Sequence, residues 1–216
     1  LSKMIRFNLI IISIYFFLYN LIFVNLHSQI NNIIVVKVGD SLITSVDVEN
    51  EIITNLILNQ QEMSQENINQ NKNFAIKNLI NKTIKKEEIN KYEITGYNKK
   101  DLKDYIDNIA TNLNTNQDGL REIFKNANIN YQEFVDKHKI ELLWNSLIFT
   151  LYRTQTNINI IEVENEVEKN KENKSEEELK KIKENILNKK KEEKLELFSR
   201  SHFSNLENSI TIKFNE

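Results

Sequence analysis

Residues Ile34–Val48, with the sequence IVVKVGDSLITSVDV, decide the fold of this chain. Two runs rich in β-branched residues are separated by a Gly-Asp pair, and Gly39 can take the positive φ that a two-residue hairpin turn demands. Ser45 is a suitable helix N-cap, and Asp47 and Glu49 follow where the helix dipole favours acidic side chains. The segment therefore predicts a strand, a tight turn, a second strand and the start of a helix.

Beyond this segment, apolar residues recur mostly at helical spacing. The chain has no proline and 3 glycines, so helices can run long without breakers. The polar stretch Gln60–Asn73 predicts a mobile loop, and Ile158–Ile161 predicts extended chain. Helices are predicted over Val48–Ile57, Ile76–Tyr92, Leu102–Leu113, Leu120–Phe124, Tyr131–Leu151, Glu162–Asn170 and, opened by the capping box of Ser175 and Glu178, to about Phe203.

The last segment, Ser209–Phe214, alternates between polar and apolar residues with a period of two, which predicts a strand. A lone strand needs a partner, and the hairpin at Ile34–Thr44 is the available candidate. The predicted fold is therefore mainly α, a helical core with a small β-hairpin near the mature N-terminus that is joined by a C-terminal strand.

The N-terminus has the parts of a secretory signal peptide. Lys3 and Arg6 precede the uncharged, strongly apolar run Phe7–Leu26, and a small residue follows, with cleavage predicted between Ser28 and Gln29. An uncleaved membrane anchor is the alternative, because roughly 20 apolar residues can span a bilayer. Residues 1–28 are therefore predicted to be the signal peptide, and 29–216 one domain, with an N-terminal part (29–170) and a C-terminal helix and strand (175–216).

Composition excludes several classes of function. The chain has no cysteine, which rules out disulfides and thiol chemistry, and its net charge is −2. Loss of residues 1–28, which carry Lys3 and Arg6, would make the net charge more negative by two units. A mildly acidic domain has no electrostatic case for binding nucleic acid.

No catalytic or metal-ligating constellation stands out in the sequence. His27, His138 and His202 are scattered, whereas a metal site needs clustered ligands. No glycine-rich phosphate loop or nucleophile motif is present. The glutamates at 162, 164, 166 and 168 predict a solvated helix face. We therefore expect a protein that is not an enzyme and that has no cofactor and no metal.

The order of segments resembles the SurA family of periplasmic chaperones, specifically the N-terminal domain and C-terminal helix. The resemblance covers most of the mature chain, and it depends on order and spacing because no single motif is highly specific. The segments that carry the resemblance are Ile34–Val48 with the I-T-x-x-D pattern, Leu79–Lys82, Leu102–Ile109, Gly119–Arg121, Asn130–Phe134 and Ile158–Glu164.

This resemblance implies a holdase-type chaperone in the periplasm of a Gram-negative bacterium, with unfolded outer-membrane proteins or extended apolar peptides as partners. Fuller members of the family carry parvulin-type prolyl isomerase domains before the C-terminal helix. Here that interval is Lys171–Lys174, far too short for such a domain, so we expect no isomerase activity. The alternative is a periplasmic scaffold or assembly subunit anchored in the inner membrane by Phe7–Leu26.

Aromatic and aliphatic residues on the longest apolar helix are the candidates for a peptide groove. An adaptable apolar surface ringed by polar residues suits weak, reversible binding of unfolded chains. The alternative is that these side chains form the core. The candidate groove residues are Phe134, Trp144, Ile148, Phe149 and Tyr152.

Overall fold

The computed structural model describes residues 32–172 and 174–215, and within these ranges the chain is mainly helical. Strands β1 (Ile34–Val38) and β2 (Ser41–Thr44) come first, and strand β3 (Ile212–Phe214) comes last. The helices between them are α1 (Ser45–Leu58), α2 (Gln65–Lys91), α3 (Lys99–Asn112), α4 (Gln117–Asn126), α5 (Tyr131–Tyr152), α6 (Ile160–Glu168) and α7 (Glu176–Ser209). This architecture confirms the predicted fold class.

The three strands form one antiparallel sheet in the order β2-β1-β3. Gly39 has a φ of 56°, as the tight turn between β1 and β2 requires. Strand β3 pairs with β1, with Ile212 opposite Val38 and Phe214 opposite Val36. The predicted meeting of the hairpin with the C-terminal strand is therefore confirmed.

The start of α1 differs from the prediction by one residue. Thr44 is the N-cap instead of Ser45: its hydroxyl accepts a hydrogen bond from the Asp47 N–H, and the Asp47 carboxylate accepts one from the Thr44 N–H. A capping box needs an acidic or amide side chain three residues after the cap. Thr44 has Asp47 at that spacing, whereas Ser45 has the apolar Val48.

The loop predicted over Gln60–Asn73 is wrong for most of its length, because α2 begins at Gln65. Ser64 caps the helix by accepting a hydrogen bond from the Asn67 N–H at 3.2 Å. A hydrogen bond that the Gln65 side chain donates to the Asn69 side chain links its first two turns. Ile68 packs against the core, so one apolar anchor is enough to dock a polar helix end.

Two boundaries near the C-terminal part also differ. Ile160 and Ile161 are helical instead of extended, because Asn159 caps α6 by accepting a hydrogen bond from the Ile161 N–H. The predicted capping box of Ser175 and Glu178 is present, but α7 continues past Phe203 to Ser209.

The core consists of three apolar clusters, and neighbouring clusters share helices. The sheet, α1 and residues 68–84 of α2 form the first cluster. The second joins α3, α4 and the start of α5, and the third joins the ends of α2 and α5 to α7. Helix α1 serves the first two, since Ile52 and Leu56 face one while Ile53 and Ile57 face the other.

Within residues 32–172 and 174–215, no helix has both the length and the apolar character needed to cross a membrane. The predicted signal peptide, the alternative anchor and the cleavage site at Ser28 and Gln29 lie outside the described residues.

Candidate functional site

An open groove of about 600 Å³ lies between the start of β1, helix α1 and the first turns of α2. Val48 and Ile52 of α1 form its buried floor, each only 5% exposed. Ile33 and Ile34 form a wall, and they are far more accessible, at 60% and 38%. The groove therefore combines a fixed apolar floor with apolar side chains that a ligand can cover.

Hydrogen bonds between the start of β1 and the start of α1 fix the shape of this groove. The Ser45 N–H donates to the Ile33 carbonyl at 2.8 Å, and the Ile33 N–H donates to the Ser45 hydroxyl at 3.3 Å. These bonds hold Ile33 and Ile34 beside the first turn of α1. On the opposite side, the Ser64 cap places Ile68 on the inner face of α2.

The rim of the groove is polar and carries charges of both signs. Glu49 comes from α1, and Gln65, Asn69 and Lys72 come from α2. Amide side chains offer both hydrogen-bond donors and acceptors, so they can meet the main chain of a peptide. An apolar floor with a few polar groups at its edge is typical of a site that binds an apolar ligand and stays soluble when empty.

Three of the residues predicted to form a groove lie in the core of this structure. Phe134, Trp144 and Ile148 are at most 3% exposed. Phe134 stacks on Phe124 with ring centroids 4.7 Å apart, and the Trp144 indole N–H donates to the Ser199 hydroxyl at 2.8 Å. Their apolar surface is therefore already covered by the protein.

The remaining two predicted residues lie in different surroundings. The Tyr152 ring stacks on Phe198 at 4.8 Å, and its hydroxyl lies 2.8 Å from Nδ1 of His202. Phe149 is 51% exposed and borders a pocket of about 320 Å³ with Leu142 and Asp101. The structure does not bring the five residues together on one open surface, and a peptide-binding role for them stays a prediction.

The apolar spacing in the sequence is consistent with the groove, although the loop predicted over Gln60–Asn73 argues against it. Val48 and Ile52 are i and i+4 neighbours, which marks one face of α1. Ile68 is separated from Ala75 and Leu79 by helical intervals, and Ser64 precedes it as a possible cap. Because Gln60–Asn73 is polar on average, the sequence predicts a loop there and misses the first turns of α2, which line the groove.

The buried ionisable groups serve packing between helices. The buried Glu88 carboxylate lies 3.2 Å from both His202 Nε2 and Lys91 Nζ, so His202 joins α7 to α2 and to Tyr152 of α5. His138 stacks on Tyr105, and burial lowers the pKa of its imidazole. No group of three or more histidines and carboxylates able to hold a metal occurs in the described ranges.

No protein-family model and no curated protein matches the chain. Among solved structures, the chain is similar to one from Campylobacter jejuni. That structure is described in a study of the virulence factor PEB4 and the periplasmic protein Cj1289 as two structurally related SurA-like chaperones. The alignment covers 86% of this chain and 100% of that one, with 15% identity and a TM-score of 0.42. A similarity this low carries no argument about the function of this chain.

Proposed function

We propose that this protein is a non-enzymatic chaperone that holds extended apolar segments of unfolded polypeptides in the groove. The observation that carries the proposal is the groove itself, in which Ile33 and Ile34 stay accessible above a buried floor of Val48 and Ile52. The resemblance of the sequence to the SurA family supports the same class of function.

The shape and chemistry of the groove suit a holding function. Burial of apolar surface contributes about 25 cal/mol per Å² and has no directional preference, so many sequences can bind. The groove is open to solvent, and the cost of ordering an unfolded segment keeps affinity modest. Weak binding allows a client to leave and fold.

Unfolded outer-membrane proteins in the periplasm are the clients we propose, and prolyl isomerase activity forms no part of the function. Export would depend on residues 1–28. Fractionation of cells that express the whole chain tests this location: recovery of a shortened chain in the periplasmic fraction is expected, whereas a full-length chain that resists salt and carbonate washes would contradict it.

The binding function can be tested by light scattering of a denatured outer-membrane porin diluted into buffer with the protein. We expect suppression of aggregation at near-stoichiometric amounts. Ile34→Glu places a charge in the wall of the groove and should raise the amount needed by several-fold, since a buried charge is costly. Leu42→Glu is the matched control, because Leu42 is 51% exposed on the neighbouring strand and does not line the groove.

Circular dichroism must show that both variants are folded. If the unaltered protein does not slow aggregation, the proposed function is wrong. If Ile34→Glu and Leu42→Glu suppress aggregation equally well, the groove is not the binding site.

A further inference from the structure

Strand β3 has an open edge that faces away from β1. The Gly39 N–H donates to the Thr211 carbonyl at 2.9 Å, and the Asn215 N–H donates to the Val35 carbonyl at 3.0 Å. Main-chain groups alternate in direction along an antiparallel strand, so those of Ile212 and Phe214 point outward. Among the described residues, no strand pairs with this edge.

The side chains of β3 alternate in character along the same edge. Phe214 lies opposite Val36 and shares its face, yet Phe214 is 63% exposed while Val36 is fully buried. Lys213 lies on the other face, opposite the exposed Lys37. The edge therefore offers apolar contact on the core side of the sheet and positive charge on the solvent side.

This edge is continuous with the groove, because Asn215 follows β3 directly and lines the groove. We propose that a client segment binds as an added fourth strand on β3, with apolar residues on the core side and acidic or neutral polar residues beside Lys213. This inference rests on the proposed function and names its substrate class, namely segments with period-two alternation. Strands of membrane β-barrels have this pattern, and pairing through the main chain tolerates many sequences.

The charges favour such a client over a second copy of this chain. Pairing β3 with another β3, in the register that uses the outward groups of Ile212 and Phe214 in both copies, places Lys213 opposite Lys213. Like charges directly opposite each other destabilise a strand pair. Lys37 has Asp40 at 4.0 Å to offset its charge, and no described carboxylate forms an ion pair with Lys213. An acidic side chain on the added strand would supply one.

Two variants at one position separate main-chain pairing from side-chain contact. Phe214→Ala removes the ring and keeps the outward N–H, whereas Phe214→Pro removes both. Proline at an outward-facing position of an edge strand leaves the bonds to β1 intact. Loss of one intermolecular hydrogen bond should weaken peptide binding about fivefold for Phe214→Pro relative to Phe214→Ala.

The test is fluorescence anisotropy with two labelled ten-residue peptides of identical composition. One alternates valine or phenylalanine with glutamate or threonine, and the other groups the apolar residues in one block. We expect the alternating peptide to bind at least tenfold more tightly and to show the difference between the two Phe214 variants. Equal affinity for both peptides, or equal affinity of both variants for the alternating peptide, would overturn the inference.

Aggregation suppression, measured in parallel, separates this failure from that of the proposed function. If suppression persists while the peptides bind equally, the edge pairing is wrong and the groove function stands. If suppression and peptide binding are both absent, both proposals are wrong. A concentration-dependent dimer that Phe214→Pro dissociates would show that a second copy occupies the edge, which also overturns the inference.

Discussion

At the scale of single residues, the buried carboxylate of Glu51 determines how three helices meet. Glu51 lies on α1, and its side chain is only 6% exposed. Its Oε1 accepts a hydrogen bond from Lys137 of α5 at 2.5 Å and another from Asn78 of α2 at 3.0 Å. The apolar stripe of α1 could be predicted from sequence, but this partner set could not, because it joins residues far apart in the chain.

Lys137→Met should destabilise the protein by about 1–3 kcal/mol, because it leaves a buried carboxylate without its cation. The free energy of unfolding in urea measures the change. Changing Glu51 to Gln in the same chain should recover part of the loss, since a neutral amide is less costly to bury. Lys103→Met is a control at an exposed ion pair and should leave stability unchanged. Equal losses in the Lys103 and Lys137 variants would contradict this account.

Gly39→Ala should cost about 1–2 kcal/mol of stability, because Gly39 has a φ of 56° and an added Cβ is disfavoured there. That Cβ would also lie 3.1 Å from the Glu87 carboxylate. Gly96→Ala is the matched control: its added Cβ would have no neighbour within 4 Å. Urea unfolding of both variants measures the difference. A cost at Gly96 equal to that at Gly39 would show that loss of glycine, and not the turn, is responsible.

At the scale of elements, side-chain caps decide where helices begin, and the sequence predicted the capping box of α7 correctly. Apolar stripes placed α3 and α5 from sequence, and Asn98 and Asn130 cap these helices in the structure. The start of α2 could not be placed in this way, because eight polar residues flank Ile68 between Gln65 and Asn73. The prediction failed where one apolar anchor and a Ser64 cap stabilise a segment that averages as polar.

The capping box at the start of α7 should open in acid. Hydrogen bonds from the backbone and side chain of Ser175 hold the pKa of Glu178 below its ordinary value. A carboxylate with a lowered pKa in the folded state stabilises the helix end above its unfolded-state pKa, and this contribution is lost as pH falls through the lowered value. Amide chemical shifts of residues 175–178, followed by NMR from about pH 6 downward, should therefore report a titration below that of an ordinary glutamate.

Glu178→Gln is the control for this titration, because a neutral amide has no proton to gain in that range. The shifts of residues 175–178 should then lose their pH dependence. A Glu178 that titrates at the same pH in the folded protein as in a short peptide of residues 174–180 would show that the capping box is not formed in solution.

At the scale of the whole molecule, α7 joins two of the three core clusters without burying any of its own residues completely. Phe203 and Leu206 pack against both the sheet cluster and the cluster around Trp144. Trp144 is therefore buried between α5 and α7, and a peptide-binding role for it stays a prediction. From sequence it lies on the most apolar helix, but α7 returns from the distant end of the chain to cover it.

The groove and the edge of β3 also arise only at this scale. The start of β1, the helices α1 and α2, and the residue after β3 each contribute one side. The sequence predicts an accessible apolar surface on α5, whereas the place of the groove depends on contacts between the two ends of the domain. Local periodicity carries no information on such contacts.

Hydrogen–deuterium exchange of the protein, with and without a denatured outer-membrane porin, tests the groove and the edge of β3 together. We expect slower exchange at residues 33–35, 48–53, 65–72 and 212–215 when the client is present. The surface around Phe149, at residues 142–150, should exchange at an unchanged rate. Protection confined to residues 142–150, with none at the groove or at β3, would show that the client binds the surface around Phe149 instead.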